Sequence, residues 1–185
     1  MRPKPLLHAR DALDQLLLNH ERVRTLLRQF DRLRWADPSA PGCRAELLDS
    51  LCDALTLLAD MEEDFFYPAA RRVLRDNPPA PAAFCDHARL RGLIAQLDEM
   101  PPGDLACNAL VSDMDGCVSP CMDAAPSGLF VAVRLAGLDT RALGLQMALW
   151  RRDQLARTQT LKRVAHPEGS TWLAASGWPQ PLCGG

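Results

Sequence analysis

The 185-residue chain has no surplus of charge of either sign. Its 21 Lys and Arg residues against 23 Asp and Glu leave a formal net charge of −2. That balance offers no basic footprint for nucleic acid and no attraction to an anionic membrane surface. No uninterrupted apolar run of about 18 residues occurs, the length a membrane-crossing helix requires. The opening "MRPKPLLHARDALDQLLLNH" lacks the long apolar core of a signal peptide and passes straight into a charged helical pattern. We therefore expect a cytoplasmic chain with neither a nucleic-acid nor a membrane partner. Catalytic signatures are missing too: there is no serine–histidine–acid arrangement, phosphate loop or dinucleotide fingerprint. No acid–base pair beside a cleft can be identified, so the expectation is a protein that is not an enzyme.

Cysteine is not scarce, yet its spacing is uninformative. Cys43, Cys52, Cys85, Cys107, Cys117, Cys121 and Cys183 make no CxxC pair and no zinc-finger spacing. An odd number in a reducing compartment argues against a disulfide framework. Most are expected to be small buried hydrophobes, with Cys183 exposed near the end of the chain.

Strand-like alternation is absent as well; leucine dominates and β-branched residues are few. The chain reads as all-α. The spacing predicts a first helix over 7–35, with Leu13, Leu16, Leu17, His20, Val23, Leu27 and Phe30 on one face. After "ADPSAPG", a second helix is predicted over 43–75, with Leu48, Leu51, Cys52, Leu55, Leu58, Glu62, Phe65 and Phe66 inward. Asp60, Glu63 and Asp64 fall on its opposite, solvated face. A third follows over 82–100, with Phe84, His87, Leu90, Ile94 and Leu97 inward.

Three amphipathic helices need a fourth to close an antiparallel bundle. Residues 104–135 supply it, with Leu110, Met114, Cys117, Cys121 and Ala125 on one face. Gly116, Pro120, Pro126 and Gly128 oppose a straight course, so this helix is expected to be kinked or broken. An additional helix is predicted over 139–163. The division expected is a helical bundle over 7–163 and an irregular tail over 164–185, with Trp172 and Trp178 available to dock that tail.

Three polar residues interrupt the inward faces: His20, Glu62 and His87, one on each of three successive helices. A carboxylate on a buried face is costly unless something cationic meets it. Two imidazoles and a carboxylate converging inside a bundle have the composition of a metal site. They also have the composition of a hydrogen-bonded cluster with a protonated histidine. Tyr67, near a helix end, is expected to offer its hydroxyl to a partner. His8 and His166 read as surface residues.

These stretches resemble the hemerythrin-like, or HHE cation-binding, domains. "DALDQLLLNHERVRTLLRQFDRL" is similar to that family's first helix, "LLADMEEDFFYPAARR" to its second, and "CDHARLRGLIAQLDEMPP" to its third. "DTRALGLQMALWRRDQL" resembles the segment after the bundle. The resemblance implies a four-helix bundle that holds two bridged irons and binds or senses dioxygen, nitric oxide or iron. It makes His20, Glu62 and His87 ligands. Leu58 stands where the family carries a histidine, and Cys121 and Ala125 where it carries a histidine and a bridging carboxylate. A standard di-iron centre is therefore not expected.

What remains is His20, Glu62, His87 and Cys121 around one iron or zinc ion, with Cys117 one turn before Cys121 able to join or replace it. The expected function is metal binding or sensing, with a metal ion or small diatomic ligand as partner. Two alternatives stay open: a metal-free bundle acting as a regulatory or interaction module, and a redox sensor built on Cys117 and Cys121.

Overall fold

The computed structural model describes residues 11–34, 41–101 and 104–165. Every regular element among them is helical. Helix α1 spans Ala12–Arg34 and α2 spans Pro41–Met61; a π-turn over Glu62–Phe66 carries α2 into α3, Tyr67–Val73. A 3₁₀ turn at Pro81–Ala83 precedes α4, His87–Asp98, and α5 follows over Cys107–Ala124. The short α6, Leu129–Leu135, leads to α7, Thr140–Ala165. The chain divides into two compact units, Met1–Ala148 and Leu149–Gly185. The tail expected over 164–185 lies, from residue 166 onward, outside the described residues, and so does Cys183.

Within the first unit α1 packs on α2 and α5, and α4 packs on the same two helices. This closed ring surrounds one apolar core. Leu13, Leu16, Val23, Leu27 and Phe30 of α1 meet Leu51, Leu55 and Leu58 of α2 there, all buried. The periodicity that predicts these faces thus holds on α1 and α2, although Leu17 drifts to the rim of its stripe and is half-exposed. Two faces differ from expectation at single positions. On α4 His87 and Leu90 are buried as expected, with Leu93 buried in place of Ile94, and on α5 Met114 and Cys121 are buried as expected, with Val111 and Val118 in the places predicted for Leu110 and Cys117. Each is a one-residue shift at the edge of a face whose direction is as expected.

Local chemistry sets the helix ends. Asp11 caps α1 by accepting from the Leu13 N–H at 2.9 Å, and its other oxygen accepts from the Thr140 hydroxyl at the start of α7. Asp86 caps α4 by accepting from the Arg89 N–H at 3.0 Å. The third helix therefore begins at His87, later than the 82 predicted, because the cap and the 3₁₀ turn claim the residues before it. Gly137 ends α6 with φ +77°, and the Gly137 and Leu138 N–H groups donate to Arg134 and Val133 as in a Schellman motif.

The expected interruption of the fourth helix falls at residues 125–128 and not at Pro120, through which α5 continues to Ala124. At Gly128 a Cβ would stand 3.0 Å from the Ala124 carbonyl oxygen, which explains a glycine at this turn. Cys107–Leu135 has the length and composition to cross a membrane, with a mean hydropathy of 1.2. In this fold Val111, Met114, Val118 and Met122 spend that apolar character on the protein's own core.

Truncation should distinguish core from rim. Leu55→Ala removes a fully buried side chain and should cost about 2–5 kcal/mol in urea unfolding. Leu135→Ala, at a residue 84% exposed, should change stability by less than about 0.5 kcal/mol.

Candidate metal centre

The carboxylate at the centre of this site is held by an irregularity in its own helix. Pro68 has no N–H, and a proline ring crowds the carbonyl four residues before it. The backbone answers with the π-turn over Glu62–Phe66, in which the Tyr67 N–H donates to the Glu62 carbonyl. That wider turn brings Tyr67 onto the face of Glu62, and its hydroxyl donates to Glu62 Oε2 at 2.8 Å. The expectation of one regular helix over 43–75 misses this turn.

Around Glu62 the predicted residues of three helices do meet. His20 of α1 places Nε2 3.2 Å from Glu62 Oε1, and His87 at the start of α4 places Nε2 2.8 Å from Oε2. All three are essentially dry, at 0%, 3% and 3% exposure for His20, Glu62 and His87. Phe130 of α6 stacks on His20 at 6.1 Å and Tyr67 stacks on His87 at 5.5 Å. Burial works to raise the Glu62 pKa, but the hydrogen bonds from His20 and His87 outweigh it and hold the carboxyl below its ordinary range. Tyr67 is shifted the other way, upward, first by burial and then by the Glu62 charge, so its hydroxyl keeps its proton and serves as a donor.

The outer nitrogens differ. Nδ1 of His20 and of His87 are both buried without a hydrogen-bond partner, but His87 Nδ1 has the Glu63 carboxylate 3.5 Å away. That separation is too long for a hydrogen bond and close enough for charge attraction. Glu63 also pairs with Arg91, which reaches Asp60 at 3.1 Å. The residues assigned to a solvated face thus include a carboxylate oriented toward a site histidine.

Cys121 requires a correction. Its sulfur is bonded to that of Cys85, with the Cα atoms 5.5 Å apart. As a disulfide it is no thiolate ligand, and the expectation against disulfides fails for this pair. The Cys117–Cys121 couple fails too: Cys117 is free, its sulfur 3.3 Å from the Asp86 carbonyl oxygen. Spacing along one helix could not reveal the true partner, because Cys85 lies in the extended segment between the 3₁₀ turn and α4 and reaches α5 from another direction. Its N–H donates to the Tyr67 hydroxyl at 3.1 Å. Ligand atoms of Glu62, Cys85 and His87 all lie within 4.8 Å of one another. Cys85, Tyr67 and Glu63 thereby join the site.

With this geometry established, comparison with known families is decisive. The family model of the hemerythrin HHE cation binding domain matches residues 11–117, more than half of the chain. The chain belongs to that family. No curated protein and no solved structure matches it. The match takes in His20, Glu62 and His87 and stops short of residues 121 and 125.

Leu58 and Ala125, which stand where the resemblance requires a histidine and a bridging carboxylate, are buried at 2% and 8% exposure and carry no donor atom. Two imidazoles and one carboxylate do suit a single ion, being a donor set used for both non-haem ferrous iron and zinc.

Glu62→Gln keeps the shape of the side chain and removes its charge. It should cost about 1–3 kcal/mol in urea unfolding at pH 7. The folded pKa of Glu62 is depressed, so its contribution is present above the unfolded carboxyl value of about 4.3 and fades as pH falls through the folded one. The gap between the parent protein and Glu62→Gln should therefore narrow below pH ~4, read from unfolding midpoints across a pH series.

Proposed function

We propose that this chain is a metal-binding protein with a one-ion centre held by His20, Glu62 and His87, and that it serves in sensing rather than catalysis. The observation that carries this reading is the convergence of two imidazole Nε2 atoms, from α1 and α4, on one buried carboxylate. On this reading α1, α2, α4 and α5 form an antiparallel four-helix bundle, and the donors project into it from three of the helices. The ion is iron or zinc, whose chemistry when bound would be to accept a small ligand at an open position. The setting proposed is cytoplasmic, with neither nucleic acid nor membrane as partner.

Coordination through Nε2 needs the proton of each imidazole on Nδ1. For His87 the Glu63 carboxylate, 3.5 Å from Nδ1, favours a proton there by its negative charge, and a small approach would make it the carboxylate partner that ligating histidines commonly have. For His20 Nδ1 there is no hydrogen-bond partner among the described residues. His87 is thus the better prepared of the two ligands.

A second reading is supported by Glu62 itself, whose two oxygens are already engaged by His20, His87 and Tyr67. On that reading the cluster is a polar core, and the protein a metal-free regulatory or interaction module.

Elemental analysis of untagged protein after anaerobic incubation with ferrous iron or zinc separates the two. One ion per chain is expected, lost in His87→Ala and in His20→Ala. Glu63→Gln should weaken binding by about tenfold or more with little change in stability. No ion under any of these conditions would overturn the one-ion centre in favour of the polar core.

A further inference from the structure

One sulfur of the Cys85–Cys121 pair lies against the same carboxylate and histidine. Cys85 Sγ belongs to the group whose ligand atoms lie within 4.8 Å of one another, with Glu62 and His87. Cys121 is bonded to that sulfur but lies outside the group, so reduction would free one sulfur within it and a second that starts one bond beyond. His20 is outside this group, on the other oxygen of Glu62.

The surroundings accommodate an open pair as well as a closed one. Cys121 Sγ stands 3.0 Å from the Val118 carbonyl oxygen, an acceptor that a thiol can use and a disulfide cannot. Cys85 sits in a non-helical segment after the extended Phe84, free of a helix's constraint on its side chain, while its N–H stays anchored to the Tyr67 hydroxyl. The third sulfur in this region, Cys117, contacts the Asp86 carbonyl and is not part of the bond.

We propose that Cys85 and Cys121 are a redox-gated donor pair: as thiolates they complete, with Glu62 and His87, a four-donor site for a thiophilic divalent ion, and as a disulfide they withdraw from it. The proposal rests on the reading of Glu62 and His87 as ligands. Opening the gate takes two electrons and two protons from a dithiol reductant, which closes to its own disulfide; the Cys85–Cys121 bond breaks and two thiols form. Their protons pass to solvent when the sulfurs become ligands. Two thiolates, an imidazole and a carboxylate match the tetrahedral preference of zinc, and thiolate donors favour such ions over hard ones. His20 then keeps its hydrogen bond to Glu62 and supports the site without ligating.

Cobalt(II) is the probe, titrated anaerobically into the full chain either reduced with dithiothreitol, since removed, or oxidised with diamide. The reduced chain should bind one cobalt with a thiolate-to-cobalt charge-transfer band in the near ultraviolet. The oxidised chain should show no band and bind at least tenfold more weakly. Cys117→Ser should retain the band, whereas Cys85→Ser and Cys121→Ser should each diminish it. Peptide mapping of the oxidised chain should recover Cys85 linked to Cys121.

Equal binding in both redox states without a band would overturn the gating and leave the His20–Glu62–His87 centre standing. A full band in Cys85→Ser would place the thiolates elsewhere and overturn it as well. No binding in either state would overturn the metal reading and the gating together. The comparison of reduced with oxidised parent protein needs no variant to fold.

Discussion

A carboxylate buried at the meeting point of three helices sets the terms for everything around it. Glu62 cannot keep its charge in a dry core unless donors surround it, and the fold supplies three: His20, His87 and Tyr67. Each comes from a different element, so the cluster ties α1, the π-turn with α3, and the start of α4 to one point. Apolar packing brings these helices together, but without that packing no residue here could meet its partner. The site and the core are therefore one object.

The irregular backbone in this protein is concentrated where the chemistry is. A regular α-helix through residues 62–67 would turn Tyr67 away from Glu62; the π-turn adds the residue that aligns them. A helix begun at 82 would fix Cys85 on a helical surface, whereas the 3₁₀ turn and the extended Phe84 let it reach across to α5. The Asp86 cap places His87 in the first turn of α4. Departures of this kind are common at functional sites, where regular geometry gives way to placement of a few atoms.

This member of the hemerythrin HHE family carries Leu58 and Ala125 where the resemblance places a histidine and a carboxylate. Leu58 and Ala125 are not exposed vacancies but packed members of the core. Around Glu62 gather both histidines, Tyr67 and the sulfur of Cys85.

Much of this was legible in the amino-acid order. Helical periodicity is a local property, repeating every few residues, so the all-α class and the apolar faces of α1 and α2 follow from it, and with them the inward placement of His20, Glu62 and His87. The "EEDFFYP" run carries the family likeness for the same reason. Other features depended on contacts between residues far apart in the chain. The Cys85–Cys121 bond spans 36 residues, and no spacing rule distinguishes it from the other pairings of seven cysteines. Glu63 reads as surface because it is surface; its orientation toward His87 exists only once α4 is docked beside it. Periodicity alone does not decide between neighbours at the edge of a face, such as Leu93 over Ile94 or Val118 over Cys117. Local pattern determined which residues point inward, and only tertiary packing decided which of them touch.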